Sequence, residues 1–99
     1  MHRITRAEAK SDFTVQVEFE DGRTANLELA EMVRTAAIAS PFRDPDRFVS
    51  ALHLIEDGEV LRWDEQFELH ADSVRYRAFP DELTADYGPE ILREGRTAA

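Results

Sequence analysis

Alternating apolar and polar positions fill the first third of the chain. Residues 13–19, FTVQVEF, place an apolar side chain at every second position, which is the pattern of a strand with one buried face. The turn sequence EDGR follows, in which Gly22 supplies the positive φ of a tight hairpin, and the alternation resumes over residues 25–29. Residues 4–9 fit a preceding strand, so we predict a three-stranded antiparallel meander.

The pattern changes after this meander. Residues 29–40, LAEMVRTAAIAS, combine good helix formers with helical spacing, and Pro41 prevents continuation, so one short helix is predicted. Residues 48–55, FVSALHLI, are apolar on both faces and lie between turn sequences, which predicts a buried central strand. A second EDG turn then leads into residues 59–63, EVLRW, which we interpret as the return strand of a second hairpin.

The chain bends again after Trp63. Residues 67–71 alternate with their apolar side chains inward, which leaves Glu68, His70 and Asp72 on the outer side. We expect Asp72 or the next residue, a serine, to cap a short helix, SVRYRA, by accepting hydrogen bonds from its free N–H groups.

Strands grouped into hairpins and separated by single helices favour an α+β fold over an alternating parallel one. We therefore predict one compact α+β domain over residues 1–78, an antiparallel sheet of two hairpin or meander units with one or two short helices. Residues 79–99 carry two prolines, two glycines and a polar end. They are predicted to form a C-terminal extension, partly helical at DELTADY and PEILRE and otherwise disordered.

Composition narrows the class of protein. A chain of 99 residues with 42% hydrophobic residues is sufficient for a single core. It has no cysteine, which excludes disulfides, thiol nucleophiles and Cys-ligated zinc. The first residues lack the apolar core of a signal peptide, and no run of about 18 apolar residues is present. We expect a cytoplasmic protein that does not bind membranes.

Charge is the strongest feature of the composition. The chain has 21 acidic against 12 basic side chains, a net charge of −9, which opposes binding to nucleic acid and to anionic lipid. Seven acids are concentrated between residues 56 and 72, where Arg62 is the single base. They are Glu56, Asp57, Glu59, Asp64, Glu65, Glu68 and Asp72. They form either a face that keeps the protein soluble or a face that attracts a basic partner.

Three segments together resemble the small bacterial domain-of-unknown-function family 2442. They are VEFEDGRTANLEL with its Asp-Gly turn and Leu-Glu-Leu step, FRDPDRFVSALHL with its proline turn, and LRWDEQFELHADSVRY with its hairpin tryptophan. The chain departs from the family pattern at Gln66, where a glycine is usual, and at residues 74–75, where a leucine is usual. The resemblance extends over about four-fifths of the chain, as expected for one compact unit.

This resemblance implies a small soluble α+β protein without an established enzyme activity. It also implies a partner, because proteins of this family are often encoded beside another small protein and have been suggested to act as its antitoxin. Some relatives carry a helix-turn-helix after the domain. The tail after Tyr76 is too short and too acidic to form one here.

Two groups of residues are candidate polar sites. Glu68, His70 and Asp72 would project from one face of a strand and are a ligand set suited to a divalent metal, although alternation alone also places polar residues outside. His53 lies in an apolar run and is either a general base with a lowered pKa or an ordinary half-buried strand residue. No nucleophile can be paired with it, so we assign His53 and His70 only as a candidate polar site.

Trp63 is the single tryptophan and is expected in the core, against Phe19, Leu61 and Phe67, rather than exposed as an interface anchor. The sequence as a whole favours a non-enzymatic module that binds another small protein, one of basic charge, with no catalytic residue, cofactor or metal. The alternatives are a protein that binds a small ligand or a divalent metal, and a structural homo-oligomer formed through an exposed strand edge.

Overall fold

Six strands in two antiparallel sheets form the framework of the computed structural model, which describes residues 2–87. The strands are β1 (Ile4–Ala9), β2 (Thr14–Phe19), β3 (Thr24–Glu28), β4 (His53–Ile55), β5 (Val60–Arg62) and β6 (Glu68–His70). The helices are α1 (Ala30–Thr35), α2 (Pro45–Ala51), α3 (Ala71–Ala78) and α4 (Pro80–Tyr87), with 3₁₀ turns at Ala37–Phe42 and Glu56–Gly58. The predicted α+β class is confirmed.

Sheet A is the predicted meander, in the order β1-β2-β3. Val15 and Val17 are buried and pair with Leu27 and Ala25 of β3, so the apolar alternation faces the core as expected. Gly22 has a φ of 88° in the β2–β3 turn. Hydrophobic periodicity therefore specified both the strands and their register.

The predicted strand over residues 48–55 is wrong in its first half, which forms α2. The side chain of Asp44 accepts a hydrogen bond from the N–H of Asp46 at 3.0 Å, and Pro45 occupies the first turn, where its missing N–H has no cost. Phe48 is fully buried, whereas Val49 is 41% exposed. The run shows no polar face because the charged residues of the outward face of the helix, Asp46 and Arg47, come before it in the sequence.

The predicted helix over residues 29–40 also ends early, at Thr35. Ala36 is extended, with φ −81° and ψ 125°, and the chain continues as a 3₁₀ turn that contains Pro41. The guanidinium of Arg43 donates from Nε to the carbonyl of Val33 at 2.9 Å. A side chain from outside the helix thus satisfies one of the carbonyls exposed at its end.

Sheet B has the order β4-β5-β6. Leu54, Leu61 and Leu69 lie in one row across it and face the core. By alternation, the rows His53–Arg62–Glu68 and Ile55–Val60–His70 lie on the other side. The predicted return strand over residues 59–63 is therefore β5, and the predicted alternation after Trp63 is found in β6.

The predicted cap of α3 is not formed. The N-cap residue is His70, and no side chain accepts a hydrogen bond there. Asp72 lies instead in the first turn, where its negative charge is favourable near the helix N-terminus. Its Oδ1 accepts a hydrogen bond from the backbone N–H of His2 at 2.7 Å, so this carboxylate ties the start of the chain to α3.

Trp63 is in the core, as predicted, and 4% exposed. Its ring stacks between Phe67, with centroids 4.5 Å apart, and Phe48, at 5.3 Å. Its Nε1–H donates to the carbonyl of Phe48 at 3.1 Å. Phe19 and Leu61, the other predicted neighbours, belong to the same buried cluster, but the stack depends on a residue of the unforeseen helix α2.

Gly58, in the turn between β4 and β5, lies directly against the backbone of β1. A Cβ atom on this residue would lie 2.3 Å from the carbonyl oxygen of Ile4, and its φ is +87°. The preceding Glu56 and Asp57 also have positive φ, 53° and 57°. The chain therefore passes through three consecutive left-handed residues at the junction of the sheets.

A matched pair of glycine substitutions tests this junction. Gly22→Ala should cost about 1 kcal/mol, because it meets left-handed strain but no atom within 4 Å. Gly58→Ala should cost at least about 3 kcal/mol, because the same strain is joined by a clash with backbone that cannot move freely. Urea denaturation measures both free energies of unfolding. Equal losses would contradict the close approach.

Arg75 fixes α4 to the rest of the domain. Its guanidinium is 5% exposed and donates to Asp21 in the β2–β3 turn, at 2.7 and 3.1 Å, and to Glu82 in α4, at 2.7 and 3.0 Å. It also lies 4.8 Å from the ring centroid of Phe19 and 5.0 Å from that of Phe79. The hydrogen bonds from Arg75 are the main reason that the pKa of Asp21 falls from 3.8 to about 2.

The helix predicted at DELTADY is α4. The predictions for PEILRE and for a disordered end concern residues 88–99, which lie outside the described residues. A domain boundary at residue 78 stays a prediction, although Glu82, beyond it, bonds to Arg75.

The contribution of Arg75 to the free energy of unfolding should become measurable at low pH. Because the folded pKa of Asp21 is lowered, its ion pair stabilises the fold above about pH 4 and is lost as the pH falls through about 2. The difference in unfolding free energy between the native protein and Asp21→Asn should shrink over this window. Arg75→Met should flatten the same part of the curve. An unchanged slope in both variants, measured by urea denaturation at each pH, would contradict the pairing.

Candidate functional site

The seven acids of residues 56–72 divide between the two ends of sheet B. Glu56, Glu59 and Asp72 line one depression of about 210 Å³ together with His2 and His70, and we call this the acidic depression. The β5–β6 turn, at the opposite end of the hairpin, carries Asp64 and Glu65. Glu68 lies between the two groups on β6, and Asp57 faces the neighbouring groove between the sheets. The sequence therefore concentrates acids, but the fold separates them.

Local backbone geometry builds the acidic depression. The left-handed turn at residues 56–58 closes with a hydrogen bond from the N–H of Glu59 to the carbonyl of Glu56, at 3.2 Å. The carbonyl of Glu59 accepts from the N–H of Ala71 at 2.8 Å. This bond brings the start of α3, with His70 and Asp72, beside the turn. Residues that are twelve or more positions apart in sequence thus share one concavity.

Four of the seven acids already have partners. Asp57 pairs with Arg3 at 3.3 Å, Glu68 pairs with Arg62, and Asp72 bonds to His2 as described. Asp64 accepts from the backbone N–H groups of residues 66 and 67, at 2.9 and 2.8 Å, and so closes its own turn. Within residues 2–87, Glu56, Glu59 and Glu65 have no ion pair or side-chain hydrogen bond. They are the three acids of this set that have no neutralising group.

The predicted set Glu68, His70 and Asp72 does not converge. Glu68 points to Arg62 across the sheet, His70 is exposed, and Asp72 has passed into α3. In the part of the chain that the structure describes, no group of three or more His, Asp or Glu residues is arranged to hold a metal ion. The alternation that suggested a common face ends at residue 70, where the helix begins.

His53 and His70 occupy the two edge strands of sheet B and are both exposed. β5 separates them, and His53 lies opposite Arg62 whereas His70 lies opposite Val60, so their backbones are roughly 12 Å apart. His53 pairs across the ladder with Arg62 and has no carboxylate, hydroxyl or amide bonded to it within residues 2–87. An exposed histidine without such a partner lacks the arrangement of a general base.

His2 is the residue that sequence reasoning underrated, because a histidine near the chain start suggests only solvent exposure. Its ring meets Tyr76 edge-on with centroids 5.4 Å apart, and its backbone bonds to Asp72. No sequence pattern connects positions 2 and 76. The contact arises from the fold alone.

Another depression, of about 450 Å³, lies on the outer face of sheet A. It is lined mainly by polar side chains, among them one base, Arg6, and two acids, Glu8 and Glu18. The alternation of apolar and polar residues in the meander predicted this surface as its solvent-exposed face. Its charges are mixed and no aromatic residue lines it, so it offers a ligand little apolar area.

Comparisons with known proteins agree on the fold. The family model described as "Protein of unknown function (DUF2442)" matches residues 4–80. The crystal structure of NE0471 from Nitrosomonas europaea ATCC 19718, described as a candidate DNA-binding protein, is similar with a TM-score of 0.69 at 18% sequence identity. The match covers 83% of this chain and 52% of that one, so this chain spans about half of its length. No curated protein matches.

None of the helices within residues 2–87 has the length and apolar character needed to cross a membrane.

Proposed function

Because this chain belongs to DUF2442, a family of proteins of unknown function, we propose a function from its surface: it is a non-enzymatic module that binds another small protein. A basic segment of that partner docks at the acidic depression formed by Glu56, Glu59 and Asp72. The observation that carries the proposal is the pair of unneutralised carboxylates, Glu56 and Glu59, beside a third that bonds only to backbone. Lys and Arg side chains of a partner would form charge-assisted hydrogen bonds with these carboxylates.

The net charge of −9 should also raise the rate at which a basic partner meets this site. Surface charges of one sign raise the rate at which an oppositely charged partner associates, and the effect falls as salt screens it. Three acids line the depression, and neither Lys nor Arg is among its lining residues. We therefore expect it to direct the final orientation of the partner and not only the encounter.

Backbone strain at the rim supports the same location. Glu56 and Asp57 hold positive φ although neither is glycine. Each such residue costs on the order of 1 kcal/mol, and strain of this kind clusters at functional positions. The turn holds the carboxylate of Glu56 at the mouth of the depression, which a relaxed turn need not do.

The lining of the depression supports binding over catalysis. Its side chains are those of two histidines, three carboxylates and an alanine. No serine, threonine, lysine or cysteine is among them, so a nucleophile paired with a base is missing from this lining. A shallow concavity of about 210 Å³ also falls below the size of an ordinary small-ligand pocket.

The finer proposal follows from the family resemblance. The partner is a small neighbouring protein whose activity this chain restrains, as an antitoxin does. Nucleic acid is not part of the proposal, because a net charge of −9 opposes contact with phosphates. A likeness at 18% identity to a longer candidate DNA-binding protein, 52% of which the match covers, supports the shared fold, not a shared ligand.

Charge reversal tests the docking site. The protein is used to capture its partner from the source lysate, and the purified pair is then studied by stopped-flow kinetics. Glu56→Lys/Glu59→Lys should slow association at least about tenfold at low salt and should remove most of the salt dependence. Rescue of cells from the partner's toxicity should weaken in parallel if the partner is a toxin.

Glu65→Lys is the matched control, since Glu65 is equally unpaired but lies at the other end of the hairpin. It changes the net charge by two units, against four for the double variant. If Glu65→Lys slows association as much per unit of charge as Glu56→Lys/Glu59→Lys does, the acids act through the general electrostatic field and not at a docking site. An association rate that does not change with salt concentration would exclude electrostatic steering by the acidic side chains.

A further inference from the structure

The outer edge of sheet A has a use that partner binding at sheet B does not explain. β3 is the last strand in the order β1-β2-β3, and it is bonded to β2 on one side only. Its exposure alternates: Thr24, Asn26 and Glu28 are exposed, while Leu27 is buried. An edge strand of this kind presents unpaired backbone donors and acceptors to another chain.

Two hydrogen bonds fix which backbone groups point outward. The carbonyl of Arg23 accepts from Phe19, and the N–H of Leu29 donates to Phe13, so both residues face β2. By the period of two, Ala25 and Leu27 face β2 as well. The N–H and C=O groups of Thr24, Asn26 and Glu28 point away from it. They have no hydrogen-bond partner within residues 2–87, although α3 packs against the same strand.

The other three sheet edges are less available. β1 runs beside both α2 and β4, which also places β4 against β1. β6 has three residues and leads directly into α3, so it offers little length for pairing. β3, with five residues, also packs against α3, but the outward backbone groups of Thr24, Asn26 and Glu28 have no hydrogen-bond partner within residues 2–87.

We propose that two copies of this chain pair through β3, antiparallel about a two-fold axis at Asn26, to form one continuous six-stranded sheet. In this register each outward-pointing residue meets an outward-pointing residue of the second copy. Asn26 faces its own copy, and Thr24 faces Glu28. All five residues of the strand overlap, and the closed symmetry produces a dimer instead of a filament.

Charge favours this register and opposes most alternatives. Each copy carries a net charge of −9, so two copies repel wherever their acids would meet. At β3 the acid Glu28 lies opposite a neutral hydroxyl, and the central position is an uncharged amide able both to donate and to accept. Acid does not face acid at any of the five paired positions. The edge is thus complementary to itself.

The dimer is independent of the proposed docking site. β3 lies on the edge of sheet A opposite to β1, and it is β1 that contacts sheet B. Pairing through β3 therefore leaves the two acidic depressions accessible, one on each copy. Failure of partner capture would not affect this inference, and failure of dimerisation would not affect partner binding.

A single cysteine reports the register, because the chain has none of its own. On the two-fold axis the two Cα atoms of residue 26 would be about 5.5 Å apart, within the range of a disulfide. Asn26→Cys should therefore form a covalent dimer under mild oxidation. Gln16→Cys is the matched control: it is exposed and pairs with Asn26 on β2, but it would lie about 15 Å from its copy. Equal cross-linking of the two variants overturns the register.

Charge changes at Thr24 supply a second, non-covalent test by sedimentation equilibrium. Thr24→Glu places acid opposite Glu28 twice in the dimer and should weaken it roughly tenfold. Thr24→Glu/Glu28→Lys places opposite charges at the same positions and should restore it. Urea denaturation checks that each variant folds, since Thr24 also faces Glu18 within the sheet. A native protein that is monomeric at every concentration tested, or a dimer indifferent to both variants, overturns the proposal.

Discussion

The contact between Gly58 and the backbone of Ile4 is the constraint on which the rest of the structure depends. It joins two small sheets, each too small to enclose a core alone, around one buried cluster. Because a side chain at position 58 would meet the carbonyl of Ile4, the chain reaches this point through a left-handed turn. That turn then sets Glu56 and Glu59 beside the start of α3. The acidic depression is a consequence of how the sheets meet.

The left-handed turn at residues 56–58 carries a cost in folding free energy. Two left-handed non-glycine residues cost about 2 kcal/mol, with Asp57 the better tolerated, out of a net stability of about 5–15 kcal/mol for a domain. The Asp57–Arg3 pair at 3.3 Å is exposed and returns little of this cost. Packing at Gly58 offsets the remainder. Glu56 is the more strained of the two, because aspartate, like asparagine, enters the left-handed region more readily than glutamate. Strain at this glutamate supports the proposed role of its charge.

The sequence predicted the parts of the fold that depend on local pattern. Period-two alternation identified the meander and its turn glycine, and the bulk of Trp63 placed it in the core. It failed where the outcome depends on distant contacts. The apolar run after residue 47 fits a buried strand, but its first half belongs to a helix whose charged outer residues, Asp46 and Arg47, precede the run, and the Asp44 cap favours that helix. Likewise, counting acids between 56 and 72 could not show that the hairpin directs them to opposite ends, nor that His2 joins one of them.

The two surfaces differ in the chemistry that they can recognise. At sheet B, side-chain carboxylates without counterions favour a partner rich in Lys or Arg, so affinity there depends on salt. At β3, backbone groups without partners favour an extended strand, and side chains select which strand fits. The strong net negative charge acts in opposite senses at the two: it attracts a basic partner to the first and excludes most self-contacts except at the second. A short, nearly neutral edge on an otherwise acidic molecule is thus the surface at which a second copy meets the least repulsion.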